Sequence, residues 1–372
     1  MRILIFNWRD LKHEWAGGSE VYITELASRW VEMGHGVTMF CGQDVGRKLP
    51  EEEVIDGERI IRRGGRYGVY AWAAWYYLAR LRKGCDVVVD VQNGIPFFTP
   101  LYSRKPKVCV VHHVHGEQFF VELLFPYSWV GYLVEKWLFP LVYREVPMVA
   151  VSQTTKRGLV RLGFPAKNIQ LVYNGIDEVH RTNGAKARKF SRPTILYLGR
   201  IKKYKRVDML VETMPEVLKR VPKARLLIAG WGTEGGSVTD TAMRGEVRRK
   251  VKIMGPVGEA EKRRLFARAW VFVNPSLQEG WGITVIEANA YRTPAVAFNV
   301  PGLSESVKDG VSGLLADDKE ELVEKVAAIL ENGRLRRRLG EGARKWAEGF
   351  SWEKSAKKGI RILERVVTGK SS

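Results

Sequence analysis

Cysteine is scarce in these 372 residues: Cys41, Cys85 and Cys109 are an odd, widely spaced set. They fit neither a disulfide framework nor a zinc-ligand spacing, and read as reduced core side chains of an intracellular protein. Long apolar runs are missing too. The N-terminus, MRILIFN, holds one basic residue and a short strand-like run, too little for a secretory-signal core. No window carries the ~18 to 20 apolar residues that a membrane span requires. The expected location is the cytoplasm, with peripheral contact at the inner face of a membrane left open. Acidic residues are also short, 41 against 61 Lys and Arg. The resulting +20 favours anionic partners such as nucleotides, phospholipid head groups or nucleic acid. These positive residues are spread along the chain rather than gathered in one arm with interleaved aromatics, so nucleic acid is not the expected partner. GxGxxG is absent, which disfavours a dinucleotide-dependent dehydrogenase. No DxD-like pair closes a strand, and neither a metal nor a cofactor is expected.

What is present is an alternation of strands and helices. Arg2 to Asn7 reads as a buried strand, followed by Gly17-Gly18-Ser19-Glu20, an amphipathic helix ending at Gly34, and a strand from Val37 to Cys41. That order is a βαβ unit with a parallel sheet. Further strands are expected at Ile60 to Arg63, Asp86 to Val91, Lys107 to Val111, Met148 to Ser152 and Ile169 to Tyr173. A second series starts at Thr194 to Leu198 and continues through Arg225 to Ala229, Val251 to Met254, Val271 to Val273, Ala295 to Phe298 and Gly313 to Leu315. Such length and layout imply an α/β protein of two doubly wound Rossmann-like domains facing each other across a cleft, residues 1–177 and 194–350. Residues 178–193, polar and basic with Asn183-Gly184, read as the linker.

The chain is organised around VFVNPSLQEGWGITVIEANAYRTPAVAFNVP, residues 271–301. A strand runs into the loop Gln278-Glu279-Gly280-Trp281-Gly282, and a helix beginning near Gly282 carries Glu287 about a turn and a half inside. N–H groups at a helix start favour an anionic or hydroxyl-rich group, and a carboxylate accepts two hydroxyl hydrogen bonds from a sugar or ribose. The plain alternative is a strand, turn and helix with a capping Glu and one incidental Glu. Gly17-Gly18 stands where doubly wound folds bring backbone N–H groups to phosphate, although it would serve equally as a tight turn. Arg200 and Lys205, in GRIKKYK after the second domain's first strand, are solvated surface charge or a pair placed to neutralise a pyrophosphate. His112, His113 and His115 follow one strand end, where core filling is hard to argue; a metal would lack a fourth ligand.

Two stretches are aromatic. Trp72, Trp75, Tyr76 and Ala79 fall on one face of a helix from Tyr70 to Arg82, beside Arg66, Arg80 and Lys83: an ordinary packing face, or one suited to head groups. Phe119 to Tyr143 is dense in Phe, Trp, Tyr, Leu and Pro, and is core, an acceptor-binding wall or an interfacial patch.

Glu279 and Glu287 within PSLQEGWGITVIEANA resemble the signature of the family-four retaining glycosyltransferases of the GT-B fold. GGSE, GRIKKYK, GPV and VYNGID resemble that family's other motifs. The resemblance implies retaining, metal-independent transfer of a hexosyl-type sugar from a UDP- or GDP-sugar, which is a co-substrate rather than a cofactor, to an acceptor hydroxyl. The acceptor expected is a lipid-linked or cell-envelope glycan, and an anionic membrane surface is a further partner that this composition permits. Glu279 would hold donor hydroxyls and Glu287 the ribose. Arg200 and Lys205 would hold the diphosphate, and His113 or His112 would stand near the sugar. The resemblance also places Gly17, Gly18, Gly255, Val257, Gly280, Trp281, Gly282 and Ile283 at the donor, Glu20 and His115 on the acceptor side, and a last helix, about 353–372, back on the first domain. Arg206 stands where the family often has Gly. The alternatives are a nucleotide-sugar epimerase of the same architecture and a basic nucleic-acid-binding protein.

Overall fold

A computed structural model describes residues 1–44, 46–177, 188–243 and 245–369. The chain divides into two compact units: Met1–Gly175 joined by the stretch from Trp352, and Ile176–Ser351.

The first unit is built on an eight-stranded sheet in the order β3-β4-β2-β1-β5-β6-β7-β8. Its strands are β1 (Arg2–Phe6), β2 (Gly36–Cys41), β3 (Glu52–Ile55), β4 (Glu58–Arg62), β5 (Val87–Gln92), β6 (Lys107–Val111), β7 (Met148–Ala150) and β8 (Ile169–Leu171). All neighbours run parallel except β3 and β4, which form an antiparallel hairpin. β5 is buried along its whole length, as a central strand with both faces covered must be. Cys41 and Cys109 lie in buried strands, whereas Cys85 occupies the turn ahead of β5; all three are free and buried. The helix Trp352–Thr368 packs on the helix Gly18–Glu32. Trp30 Nε1 donates to the Ala356 carbonyl at 3.0 Å and Ser355 Oγ to the Tyr173 carbonyl at 2.6 Å.

A six-stranded, fully parallel sheet forms the second unit, in the order β11-β10-β9-β12-β13-β14. Its strands are β9 (Thr194–Leu198), β10 (Arg225–Ala229), β11 (Val251–Gly255), β12 (Val271–Asn274), β13 (Ala295–Phe298) and β14 (Gly313–Ala316). Their near-continuous Val, Ile, Leu and Ala content places side chains in helix-covered layers on both faces. In each unit the strand order reverses once, between β1 and β5 and between β9 and β12. Loops leaving the carboxyl ends diverge at such a point and open a crevice for ligand.

Three expectations change. Residues 178–187 of the expected linker lie outside the described residues, and residues 188–193 are fastened to the second unit. Phe190 N–H donates to the Arg268 carbonyl at 2.8 Å, Trp270 Nε1 donates to the Phe190 carbonyl at 2.7 Å, and Lys189 Nζ reaches Thr293 Oγ1 at 2.6 Å. The helix Val69–Tyr76 buries Val69, Ala73 and Tyr76, while Trp72 and Trp75 face solvent, so the tryptophans are not its packing face. It widens into a π-helical turn, Tyr77–Leu81, which shifts the later residues off a single stripe.

Candidate active site

At the reversal in the second unit, the loop after β9 meets the loop after β12. Leu277 N–H donates to the Tyr204 carbonyl at 2.9 Å, and the Lys205 ammonium forms a short ion pair with Glu279 Oε1. That same oxygen accepts from Ser276 Oγ at 2.9 Å and Asn274 Nδ2 at 3.2 Å, whereas no hydrogen bond to Oε2 forms among the described residues. Both partners are nearly buried, with side-chain exposures of 13% for Lys205 and 14% for Glu279. Burial alone would push the Glu279 carboxyl up, but Lys205, Asn274 and Ser276 together hold it below its ordinary value. For Lys205 burial opposes the charge, and Glu279 more than reverses this, holding the amine above its ordinary value; Arg200 contributes an opposing positive charge. The pair therefore stays ionised at neutral pH, with one carboxylate oxygen left to accept a hydroxyl.

Backbone geometry fixes this loop. Gly282 precedes the helix Ile283–Ala290 with φ +80°, and Gly302 adopts φ +83° with its Cα against the Glu279 backbone. A Cβ at Gly302 would come 2.1 Å from the Glu279 carbonyl oxygen, so only glycine lets the two segments meet. Arg206 holds φ +50°, the left-handed geometry that a glycine would adopt without strain, and its guanidinium stacks on Phe298 at 5.3 Å.

Glu287 sits on the fifth residue of its helix, buried, with Oε1 2.7 Å from Lys262 Nζ. Burial works against the Lys262 charge, but Glu287 holds the amine above its ordinary value. Each glutamate thus has its own lysine. Lys262 is absent from the sequence-derived site because it stands in EAEKRR, a charge run typical of a solvated helix face. Gly255 ends β11 and Val257 lies just past it; the space around the Gly255 Cα is open, and Gly230 N–H donates to the Gly255 carbonyl at 2.8 Å. Gly280 and Ile283 are half-buried. The Trp281 ring is buried edge-on against Phe350, 5.2 Å between centroids, and anchors the loop.

In the first unit, loops after β1, β5 and β6 converge at the other reversal. Glu20 is fully buried; Oε2 accepts the Gly17 N–H at 2.7 Å, and Oε1 pairs with Arg9 at 3.1 Å. Glu20, expected on the acceptor side, uses its carboxylate here to shape the Gly17-Gly18 loop. Ser19 Oγ accepts from Asn93 Nδ2 at 2.7 Å, tying that loop to the end of β5.

His112 is buried edge-on against Tyr22, and its Nε2 has no hydrogen-bond partner among the described residues. Burial pulls its pKa down to about 4, so it is a neutral imidazole. His113 and His115 are half-buried, with ring centroids 3.8 Å apart. The His115 and Gly116 N–H groups donate to Glu135 at 2.8 and 2.6 Å. Glu135 is buried and sets the shape of this loop, a role hidden in sequence by the aromatic run around it. Among the described residues no three His, Cys, Asp or Glu side chains gather as a metal site.

Comparison with known proteins gives this geometry a family. Residues 16–180 match the model described as Glycosyltransferase Family 4, and residues 181–346 that of Glycosyl transferases group 1. A D-inositol 3-phosphate glycosyltransferase of Nocardioides sp. is 32% identical, covering 94% of this chain and 86% of that protein. The chain belongs to the family-four glycosyltransferases. Solved structures agree on the fold, which is GT-B. Sucrose-phosphate synthase from Thermosynechococcus elongatus superposes with a TM-score of 0.80 at 20% identity, over 99% of this chain and 100% of that one. HepE of Anabaena, solved in complex with UDP-glucose, gives 0.78 at 15% identity, over 98% and 99%.

Proposed function

We propose that this glycosyltransferase moves a hexosyl sugar, with retention, from a UDP-sugar to a hydroxyl of a lipid-linked or cell-envelope glycan. The observation that carries the donor half is the Glu279–Lys205 pair, which joins two loops at the strand-order reversal and leaves one carboxylate oxygen for a sugar hydroxyl. A UDP base is favoured over GDP because HepE, similar along nearly its whole length, was solved with UDP-glucose.

In the proposed reaction the bond from the sugar's anomeric carbon to the diphosphate oxygen breaks, and the acceptor oxygen bonds that carbon on the same face. The acceptor's proton passes to the departing phosphate. No protein nucleophile and no metal is required. The chain's contribution is electrostatic: Arg200 and Lys205 offset charge growing on the diphosphate, Glu279 holds sugar hydroxyls and Glu287 the ribose.

Transfer from radiolabelled UDP-hexose tests this reading, with Glu279→Gln and Glu287→Gln as variants. Each substitution keeps side-chain volume and should lower turnover by about 10²-fold with the fold retained, while the melting temperature falls because a buried lysine loses its partner. Wild-type rates in both would remove the assignment. Release of free UDP at an undiminished rate, with no glycosylated product from any hydroxyl acceptor, would favour the epimerase alternative.

A further inference from the structure

The first unit carries an unusual amount of apolar surface. Beyond the buried face of Val69–Tyr76, the opposite side of that helix exposes Trp72 and Trp75, and the π-helical turn adds Leu78, exposed at 46%. A helix apolar on both sides belongs either in a core or against an apolar phase. The segment after β6 repeats the pattern: Leu124 is 85% exposed, Phe125 79%, Trp137 66% and Leu141 76%. The two regions meet where Tyr67 stacks on Tyr127, centroids 6.3 Å apart.

The sequence around the helix Val69–Tyr76 has charges of one sign, whereas the segment after β6 mixes Glu117 and Glu145 with Lys136 and Arg144. No Asp or Glu occurs between Glu58 and Asp86, a stretch that holds Arg63, Arg66, Arg80, Arg82 and Lys83. Arg66 lies over the Tyr67 ring at 5.3 Å, and Lys136 lies between Tyr132 and Trp137 at 5.2 and 5.8 Å. Aromatic rings with apolar bodies, edged by cations, match the boundary between acyl chains and anionic head groups. A protein partner would meet the same apolar area, but the cations Arg66, Arg80, Arg82 and Lys83 beside Trp72 and Trp75 favour an anionic surface.

We infer that this face of the first unit docks onto an anionic lipid bilayer, with Trp72, Trp75, Phe125 and Trp137 entering the interfacial layer and the neighbouring Arg and Lys side chains at head-group level. No helix among the described residues is long and apolar enough to cross the bilayer, so attachment is peripheral and salt-sensitive. The inference is independent of the donor assignment, because it is measured without donor or acceptor.

The test is co-sedimentation of the full chain with phosphatidylcholine vesicles containing 30% phosphatidylglycerol, against pure phosphatidylcholine, with tryptophan emission recorded in parallel. Binding to the anionic vesicles, weaker retention on neutral ones and a blue shift of emission are expected. Trp75→Ser with Trp137→Ser should weaken binding by about tenfold or more, while Val160→Ser, at an exposed site elsewhere on this unit, should not; both substituted proteins should melt as the parent does. The proposal fails if the parent stays in the supernatant with both vesicles, or if binding survives the double substitution and vanishes only with salt. It also fails if the parent forms a dimer that the same double substitution dissociates, since the face would then cover a second copy of the chain.

Discussion

At the scale of single residues, buried charges divide by whether a carboxylate faces them. Lys205 and Lys262 each face a carboxylate and keep their protons. Lys189 faces Thr293 Oγ1 and the Tyr291 carbonyl instead. Burial is the largest influence there, Arg336 and Arg292 add to it, and the amine falls from 10.5 to about 7. A folded-state pKa below the unfolded one makes the proton a liability. The penalty is full below about pH 7 and fades as pH rises towards 10.5, so this group lets stability increase across that window. Lys189→Met should therefore raise the melting temperature by about 5 °C at pH 7 and by much less at pH 10, read by calorimetry on both proteins; an equal gain at both values would contradict the burial argument. Arg206 tests a different quantity. Arg206→Gly should leave stability within about 0.5 kcal/mol, because relief of the left-handed backbone is offset by a freer unfolded chain and the lost stacking on Phe298. Arg206→Val should cost about 1–2 kcal/mol, since a β-branched side chain tolerates that geometry poorly; denaturant midpoints decide between the two.

At the scale of elements, the parallel strands were legible because their buried runs are uniform. β6, β9, β10 and β13 stand on their expected residues, and the others differ by a residue or two at their ends. The β3–β4 hairpin was missed because EEEVIDGERI is too acidic to read as a strand. Its signal was Asp56-Gly57, whose φ values of +49° and +80° make the tight turn that right-twisted strands prefer. The π-helical turn and the seating of residues 188–193 depend on tertiary contacts that no local pattern encodes. Lys262 and Glu135 were hidden for a related reason: side chains from remote segments gave them their partners. The site loop is an element in the same sense, built where Gly302 lies against Glu279. Gly302→Ala should shift the Glu279 carboxylate and reduce transfer by about 10²-fold, as misplacement near 1 Å does. A substituted enzyme with parental kcat and KM would show that this contact does not set the carboxylate's position.

At the scale of the whole molecule, the +20 charge and the two-unit architecture divide the tasks. The second unit carries the paired acids and cations that suit an activated sugar. The first carries the Gly17-Gly18 loop, the histidines and an apolar, basic outer face. The family could be recognised from short motifs because the ligand-facing geometry is local: glycines, a carboxylate and two cations at strand ends. Specificity for an acceptor is spread over surface, and composition alone left the aromatic stretches open between core and exposed patch. Their exposure in the folded chain decides that question for Trp72, Trp75 and the segment around Phe125.

The most direct measurement of the central claim is donor-induced stabilisation of the parent protein, Glu279→Gln and Lys205→Ala, melted with and without UDP-glucose. At a donor concentration about a hundred times its dissociation constant, binding to the native state adds about 2.7 kcal/mol. The parent should then melt on the order of 5 °C higher, and the shift should shrink by more than half in each variant. Equal shifts in all three proteins would contradict the account, because the donor would then be held without the pair that defines the site.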